Sequence, residues 1–456
     1  MYCINETNLK FAYSKLKRYV YYYSSSNYLK DKIMKFEDEL IKNGNLFKKY
    51  ADELTHMGSL KYNCLRNYSV DYVLYPKKDS FETSGDTIKL KEVNAFIDMD
   101  IMFYLNDVLF CFELFKIYQS IEKKQFFGNL FDKHLERVNE PLENNMLFDP
   151  YWENYEKWQE FVLKNISEDN EKYTLVKLDF QRCYYQTRFK LKNFLEKRGI
   201  DCNNNPIINI ALGVYRLYSS KLINKTKEEQ VVLLPLGLPS SAVLQNLLFC
   251  DFDEETIKNE NVIGYSRYVD DVLILVKGSV DAVSELKKYI AQIEFDSSSN
   301  TMSIEVSNEI INKLIINQKK IEIRSGMSKK CLRKKIQSIT APSLIDFLDE
   351  EASEKFNNTS DYFDKSKAIK NTINKFYEYD VSAEKLYNFL NDSMMVKNID
   401  LLNIYSCWNK ILYLYKSNEN YKKEFEEKVS SLIEKIVYSP NDSSFDVENI
   451  NNQLIK

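Results

Sequence analysis

The segment VIGYSRYVDDVLILV (Val262–Val276) places two adjacent aspartates, Asp270 and Asp271, between two largely apolar runs. Two such runs joined by a short polar tip predict a β-hairpin. Burying one unpaired carboxylate is costly, and two neighbouring carboxylates repel each other. The pair therefore marks either a solvated hairpin tip or a place where a positive charge is bound.

A third acidic residue, Asp179, follows the apolar run in YTLVKLDF (Tyr173–Phe180), which is typical of a short buried strand. A strand end beside a hairpin tip in the same sheet brings its carboxylate close to the two at the tip. Three clustered carboxylates need a counter-charge, and Mg²⁺ prefers carboxylate oxygens and substrate phosphates as ligands. Two metal ions about 4 Å apart clamp the attacking and leaving oxygens of a phosphoryl transfer. The sequence predicts that Asp179, Asp270 and Asp271 hold two Mg²⁺ ions, with a solvated Asp-Asp turn as the alternative.

The composition of the 456 residues is that of an ordinary globular protein, with 44% hydrophobic and 29% charged residues and a net charge of −4. This balance argues against a protein that merely coats nucleic acid, but it allows a local basic channel on a polymerase. The chain has eight cysteines without a CxxC pair and two histidines, His56 and His134, so neither a zinc site nor a disulfide framework is expected. We expect no signal peptide, no membrane span and a reducing bacterial cytoplasm.

Helical and strand-like segments alternate through the first two thirds of the chain, which indicates the α+β class. One helix is predicted to begin at Thr7 as its N-cap, and a second to cover YLKDKIMKFEDELIKNG (28–44). Strand-like runs around DSFETSGD (79–86) predict a hairpin with its tip there. The run VVLLPL (231–236) predicts a strand, and DAVSELKKYIAQIEF (281–295) predicts an amphipathic helix.

The last part of the chain reads differently, because the strand-like runs stop. Helical patterns follow from residue 344, including NYKKEFEEKVSSLIEKIVY (420–438), whose apolar residues recur at helical spacing. A separate all-α region is therefore expected, with helix pairs stacked in layers.

Three motifs in this order resemble those of reverse transcriptases. YVDD (268–271) resembles the YxDD box, and RYVDD extends it in the manner of bacterial members. LDFQRCYY (178–185) is similar to the first motif of the palm, and LPLGLPSSAVLQN (234–246) to the second. One such motif is weak evidence, but three in order over about 100 residues are a strong signal.

The resemblance implies a right-hand fold in which residues 1–65 are a helical segment of the fingers, 66–326 the fingers and palm, and 327–456 the all-α domain. The three aspartates and the backbone carbonyl of Phe180 would bind the metal ions, Mg²⁺ or alternatively Mn²⁺. The ring of Tyr184 would exclude a 2′-hydroxyl and so select deoxynucleotides. Further contacts with the nucleotide would come from Gly237, Ser241, Lys77 and Lys89, the two lysines together with Lys78 and Lys91 lying on the fingers hairpin. Solvated lysines on an exposed hairpin are an equally good interpretation.

Two departures separate the chain from the family pattern. Leu236 replaces the usual glutamine of LPQG, and TMSIEVSNEI (301–310) offers no counterpart of the lysine that usually follows YxDD. With a helical C-terminal region, the chain resembles the abortive-infection and defence-associated reverse transcriptases of bacteria. That subgroup implies dNTP substrates, a homo-oligomer, and protein-primed DNA synthesis with or without a copied template. Candidate priming residues are Tyr19, Tyr21, Tyr22, Tyr23 and Tyr28, although core packing explains most tyrosines equally well.

Two other functions compete with this one. A templated reverse transcriptase would use a dedicated non-coding RNA, which should co-purify with the protein. A catalytically silent scaffold has little reason to keep three mutually repelling acids. A second acid pair, Asp98 and Asp100, is predicted to lie at a strand edge or helix start and to play no part in the site.

Overall fold

The computed structural model supports a mixed architecture of helices and antiparallel sheets, which confirms the α+β class. Lys77, Lys78, Lys91 and Tyr23 lie outside the described residues, as does nearly all of the expected C-terminal helical region. The described residues are 3–22, 27–60, 65, 68–76, 81–84, 87–90, 93–121, 125–132, 135, 146–149, 151–164, 166, 172–223, 230–280, 282–296, 301–328, 332 and 436–437.

Three helices open the chain: α1 (Glu6–Tyr22), α2 (Asn27–Lys42) and α3 (Leu46–Ser59). The apolar positions Leu9, Ala12, Leu16 and Val20 of α1 are fully buried, as their three- and four-residue spacing predicts. The predicted cap at Thr7 is wrong by two residues. The side chain of Asn5 accepts a hydrogen bond from the Asn8 backbone at 2.8 Å, so Asn5 is the residue that satisfies the helix start.

A long hairpin follows, built from β1 (Asp71–Pro76), β2 (Phe81–Ser84), β3 (Thr87–Leu90) and β4 (Val93–Asp98). Strand β1 pairs antiparallel with β4, and β2 with β3. The hairpin exists as predicted, but β2 occupies half of the segment that was expected to form the tip. Asp98 ends β4, and Asp100 caps the next helix by accepting a hydrogen bond from the Met102 backbone at 3.0 Å, which confirms their structural interpretation.

The helix that Asp100 caps, α4 (Ile101–Gln119), is buried on nearly every side and is the central helix of the core. Further helices are α5 (Tyr151–Phe161), α6 (Cys183–Gln186), α7 (Leu191–Lys197), α8 (Pro206–Leu222), α9 (Pro239–Leu248) and α10 (Cys250–Lys258), with β5 (Tyr173–Asp179) between α5 and α6. Within the described part of the chain, every helix is too short or too polar to span a bilayer.

The strand predicted over VVLLPL is wrong. Its backbone groups bond to several different segments: Val232 pairs with Phe189, Leu234 donates to the Tyr184 carbonyl at 3.3 Å, and the Leu236 carbonyl accepts from Ile97 at 2.9 Å. A strand needs one continuous partner, and this segment instead ties the central helices to β4.

The principal sheet contains β5 with β6 (Val262–Tyr268), β7 (Asp271–Lys277) and β11 (Glu322–Met327), in the antiparallel order β11-β5-β7-β6. A smaller sheet contains β8 (Ile293–Asp296), β9 (Thr301–Ile304) and β10 (Leu314–Ile315). The predicted amphipathic helix over 281–295 is wrong. Val283–Lys288 forms a 3₁₀ helix and Ile293–Asp296 joins β9, because its isoleucine and phenylalanine suit a strand as well as a helix.

One further strand, β12 (Ile436–Val437), pairs parallel with β3. These two residues are therefore not helical, contrary to the prediction for 420–438, since their backbone bonds join a sheet edge. Leu332 is fully buried beside Trp158, so packing continues past the predicted domain boundary at residue 326.

Candidate active site

The principal sheet brings the three aspartates together. In the register of β5 and β7, Asp179 lies directly opposite Asp271, and Tyr268 of β6 lies opposite Asp271 from the other side. Val269 and Asp270 form the two-residue loop between β6 and β7. Asp179 is buried, whereas the two residues at the tip are partly exposed. The local strand pattern therefore delivers three carboxylates to one end of one sheet.

The electrostatics of this end are those of crowded acids. Burial, followed by the charges of Asp271 and Asp179, raises the pKa of Asp270 to about 7. Burial also raises the pKa of Asp271, although Lys177 partly opposes the shift. Around neutral pH the Asp270 carboxyl is therefore only partly ionised, and a bound cation would displace its proton.

Two lysines compensate for the negative charge. The ammonium of Lys177 lies 3.2 Å from Asp271 Oδ1, and that of Lys320 contacts Asp179 Oδ2. Burial lowers the pKa of Lys320, but its hydrogen bond to Asp179 and the charges of all three aspartates raise it by more. The ammonium groups therefore stay protonated beside the carboxylates.

Sequence reasoning missed Lys320 because it looked for a lysine nearer to YVDD. Lys320 lies in a 3₁₀ helix, Gln318–Lys320, that follows β10 and precedes β11. The Asn317 backbone donates to the Asp179 carbonyl at 2.8 Å, which carries this turn to the end of β5. No local pattern reveals that contact, because β5 and Lys320 are about 140 residues apart in sequence.

The donor set fits a hard divalent cation. All of the candidate ligands are oxygen atoms, from three carboxylates and the Phe180 carbonyl, and the buried Asp179 Oδ2 lies against the Lys320 ammonium. In the present side-chain arrangement, no three acidic, histidine or cysteine side chains among the described residues enclose an ion. Lys177 and Lys320 occupy the coordinating oxygens instead, so ion binding requires these two contacts to open.

Tyr184 lies on α6 beside the acids. It is partly buried, and burial together with the nearby Tyr19 and Asp270 raises the pKa of its phenol well above the usual value. The phenol therefore stays un-ionised at neutral pH, and its ring offers a bulky, uncharged surface beside the acids. Phe180 packs its ring against Phe249 and Phe252, which leaves its backbone as the part that could serve the site.

Gly237 adopts a φ of +102°, a conformation that favours glycine. A Cβ there would lie 3.2 Å from the ring of Phe96, so glycine also allows β4 to approach. Ser241 is fully buried, and its hydroxyl shares a hydrogen bond of 3.0 Å with Tyr215. This hydrogen bond joins the first turn of α9 to α8 inside the core.

Sequence reasoning also missed the residue that caps α9. The buried Asp107 of α4 accepts hydrogen bonds from the backbone and hydroxyl of Ser240, the backbone one at 3.0 Å. Burial raises the pKa of Asp107 to about 7 despite these bonds. A carboxylate at a helix N-terminus is favourable, and here it comes from another helix.

The remaining candidates are dispersed. Lys89 lies in β3 on the long hairpin, and Tyr21 and Tyr22 lie in the last turn of α1. Tyr19 packs edge-on against Phe148 at 5.7 Å, whereas the Tyr28 hydroxyl donates to Asp98 at the end of β4. The charge of Tyr19 is one of the causes that raise the pKa of Tyr184, so the two phenols lie near each other.

Three carboxylates at paired strand ends, with two compensating cations, define a site suited to metal-assisted phosphoryl transfer. Comparison with known families agrees: residues 114–325 match the family model described as reverse transcriptase (RNA-dependent DNA polymerase). The chain thus carries a reverse transcriptase domain and is an RNA-directed DNA polymerase, a nucleotidyltransferase. Such a domain implies dNTP substrates and a nucleic-acid template. No curated protein matches the chain.

Proposed function

We propose that the principal sheet is the palm of a right-hand polymerase, that the long hairpin β1–β4 belongs to its fingers, and that DNA is synthesised at Asp179, Asp270 and Asp271. The cross-strand pairing of Asp179 with Asp271, with Asp270 in the adjoining turn, is the observation that carries the proposal. The acids lie where three separate sequence motifs meet, and the matched domain covers all three.

The carboxylates of the three aspartates, with the backbone carbonyl of Phe180, hold two Mg²⁺ ions in this proposal. When bound, these ions supply the positive charge that stabilises the attacking and leaving oxygens of a phosphoryl transfer. Tyr184 excludes the 2′-hydroxyl of a ribonucleotide, and the turn at Gly237 admits the nucleotide beside β4. Lys177 and Lys320 neutralise the acids until the ions replace them.

Replacing one ligand tests this assignment. Asp271→Asn keeps the shape of the side chain and removes its charge, and it should abolish incorporation of labelled dNTPs in the presence of Mg²⁺. A matched control is Asp52→Asn on the exposed face of α3, which should leave incorporation unchanged. Thermal denaturation shows that both variants are folded. Full incorporation by folded Asp271→Asn would rule out the proposed site.

We further propose protein priming, with Tyr19 as the candidate best placed among the described tyrosines. Its support is that Tyr19 lies near Tyr184, whose pKa is raised by burial and by the charges of Tyr19 and Asp270. Burial raises the pKa of Tyr19, so a base or metal ion must take up its proton. After incubation with dNTPs and Mg²⁺, denatured protein should carry DNA that protease releases, and Tyr19→Phe should carry none. DNA attached equally to Tyr19→Phe would move the priming site elsewhere.

A role in antiphage defence by abortive infection completes the proposal and rests on the resemblance to defence-associated reverse transcriptases. Cells that express the chain should resist phage, and Asp271→Asn should lose resistance and polymerase activity together. Resistance that survives Asp271→Asn would favour the scaffold function instead. Sequencing the nucleic acid that co-purifies with the protein separates a dedicated RNA template from untemplated synthesis.

A further inference from the structure

The loop that carries Asp270 contains a strained residue. Val269 adopts a φ of +57°, although β-branched side chains rarely enter the left-handed region. Such conformations are strained and persist where the surroundings hold them in place. Because Val269 immediately precedes Asp270 and Asp271, its conformation sets the direction from which both carboxylates enter the site.

The group that holds this loop is the guanidinium of Arg267. Arg267 is completely buried, and its Nη1 donates to the Val269 carbonyl at 2.9 Å and to Asn246 Oδ1 at 3.2 Å. Arg267 belongs to β6, and its side chain reaches the carbonyl of Val269, two residues further along the chain in the loop. One guanidinium thus connects the loop with α9.

Asp253 of α10 neutralises the buried cation. Its carboxylate accepts from Arg267 Nε at 2.8 Å and from Nη2 at 2.7 Å, and the guanidinium lies against the rings of Phe126 and Phe249. A buried ion pair seldom contributes more stability than apolar side chains of the same volume. Stability is therefore a poor explanation for this pair, whereas orientation of the Nη1 donor explains it directly.

The segment around Gly128 also packs against the loop. The Asn246 amide donates to the Gly128 carbonyl at 2.8 Å, and a Cβ on residue 128 would lie 2.6 Å from Val269 Cγ2. The same segment pairs with Arg267, because the Phe127 backbone donates to the Arg267 carbonyl at 2.8 Å. Val269 is therefore held by a hydrogen bond from Arg267 and packed against residue 128.

We propose that Arg267, Asp253 and Asn246 form a positioning unit that holds Val269 in its left-handed conformation and thereby fixes the catalytic acids Asp270 and Asp271. The catalytic role of those acids rests on the proposed function, but their positioning does not. The Arg267 guanidinium bonds to Asp253, Asn246 and the Val269 carbonyl, so it acts on the acids through the loop. Residues that orient metal ligands in this way typically affect metal affinity or activity by about 10- to 100-fold.

The experiment removes the donor without leaving a buried charge. The double variant Arg267→Met with Asp253→Leu replaces the ion pair by apolar side chains, and Mn²⁺ binding is measured by electron paramagnetic resonance without nucleotide or nucleic acid. Lys15→Met, which removes another fully buried cation far along the chain on α1, is the matched control. Thermal denaturation in the absence of metal monitors folding of every variant.

We expect the folded double variant to bind Mn²⁺ about 10- to 100-fold more weakly, and Lys15→Met to bind it as tightly as the parent protein. Adding Val269→Gly to the double variant should recover much of the affinity, because glycine adopts a φ of +57° without strain. A folded double variant with unchanged Mn²⁺ affinity overturns the proposal, and so does a loss that Val269→Gly leaves unrepaired.

Should the double variant fail to fold, Asn246→Ala decides by the same criteria, because it leaves the ion pair intact. A parent protein that binds Mn²⁺ through Asp271 but incorporates no nucleotide would refute the proposed function and leave the positioning unit standing. The two proposals therefore fail by different measurements.

Discussion

A single methyl group at residue 128 should disturb the loop that carries Asp270. Alanine there would place its Cβ 2.6 Å from Val269 Cγ2 and 2.9 Å from the Val269 backbone nitrogen. Ordinary contact begins at 3.4 Å, so Val269 Cγ2 must move by about 0.8 Å, and the Val269 backbone nitrogen or the segment around Gly128 by about 0.5 Å. The side chain of Val269 can rotate, but the backbone nitrogen moves only with the loop.

The expected cost has two parts. Overpacking of this kind destabilises a protein by about 1–3 kcal/mol. Displacement of reacting groups by about 1 Å lowers a rate by up to about 10²-fold, so Gly128→Ala should lose most of its activity while remaining folded. The Asn246 amide, which bonds to the Gly128 carbonyl, resists a shift of residue 128 and directs the displacement into the loop.

The assay is steady-state incorporation of labelled dNTPs at saturating Mg²⁺, with thermal denaturation of the same preparations. Gly44→Ala is the matched control, because a Cβ at the end of α2 meets nothing within 4 Å. That variant should keep the activity and stability of the parent. Parent-like activity of Gly128→Ala would refute the inference that the position of this loop limits catalysis.

Three further results are expected. The pKa of Asp270 is raised to about 7 from an ordinary 3.8, so the folded, metal-free protein binds this proton more tightly than the unfolded chain and loses stability as the pH rises through that range. Calorimetry should therefore show a larger Mg²⁺-induced rise in Tm at about pH 8 than at about pH 6, and equal shifts would contradict it. Lys320→Met should lower Tm in EDTA but much less in saturating Mg²⁺, because the ions take over the neutralisation of Asp179. An equal decrease of Tm with and without Mg²⁺ would count against this. Tyr184→Ala should raise incorporation of ribonucleotides relative to deoxynucleotides by about 10²-fold in single-nucleotide assays, whereas Tyr184→Phe, which keeps the ring, should discriminate as the parent does.

The predictions that succeeded depend on local pattern. The alternation and length of the runs around YVDD and LDF were enough to predict β5, β6 and β7, and the hairpin tip placed Asp270 and Asp271 together. Among the wrong predictions, the strand at 231–236 and the helix at 281–295 concern apolar segments whose residues suit more than one backbone. There the choice was made by partners elsewhere in the chain, such as Ile97 for Leu236 and β9 for β8.

The amino-acid sequence by itself determined that Asp179 ends a strand and that Asp270 and Asp271 lie at a hairpin tip, because these positions are properties of short segments. Only the tertiary structure decided what surrounds these acids. Lys320 contacts Asp179, Asp107 accepts hydrogen bonds at the start of α9, and Arg267 donates to the carbonyl of Val269, whose φ is strained. These contacts join residues from different elements, and each is made by one side chain whose own segment carries no signal of its partner. Hydrophobic periodicity fixes how a segment folds, whereas charge compensation and loop conformation depend on which segments the core packs together.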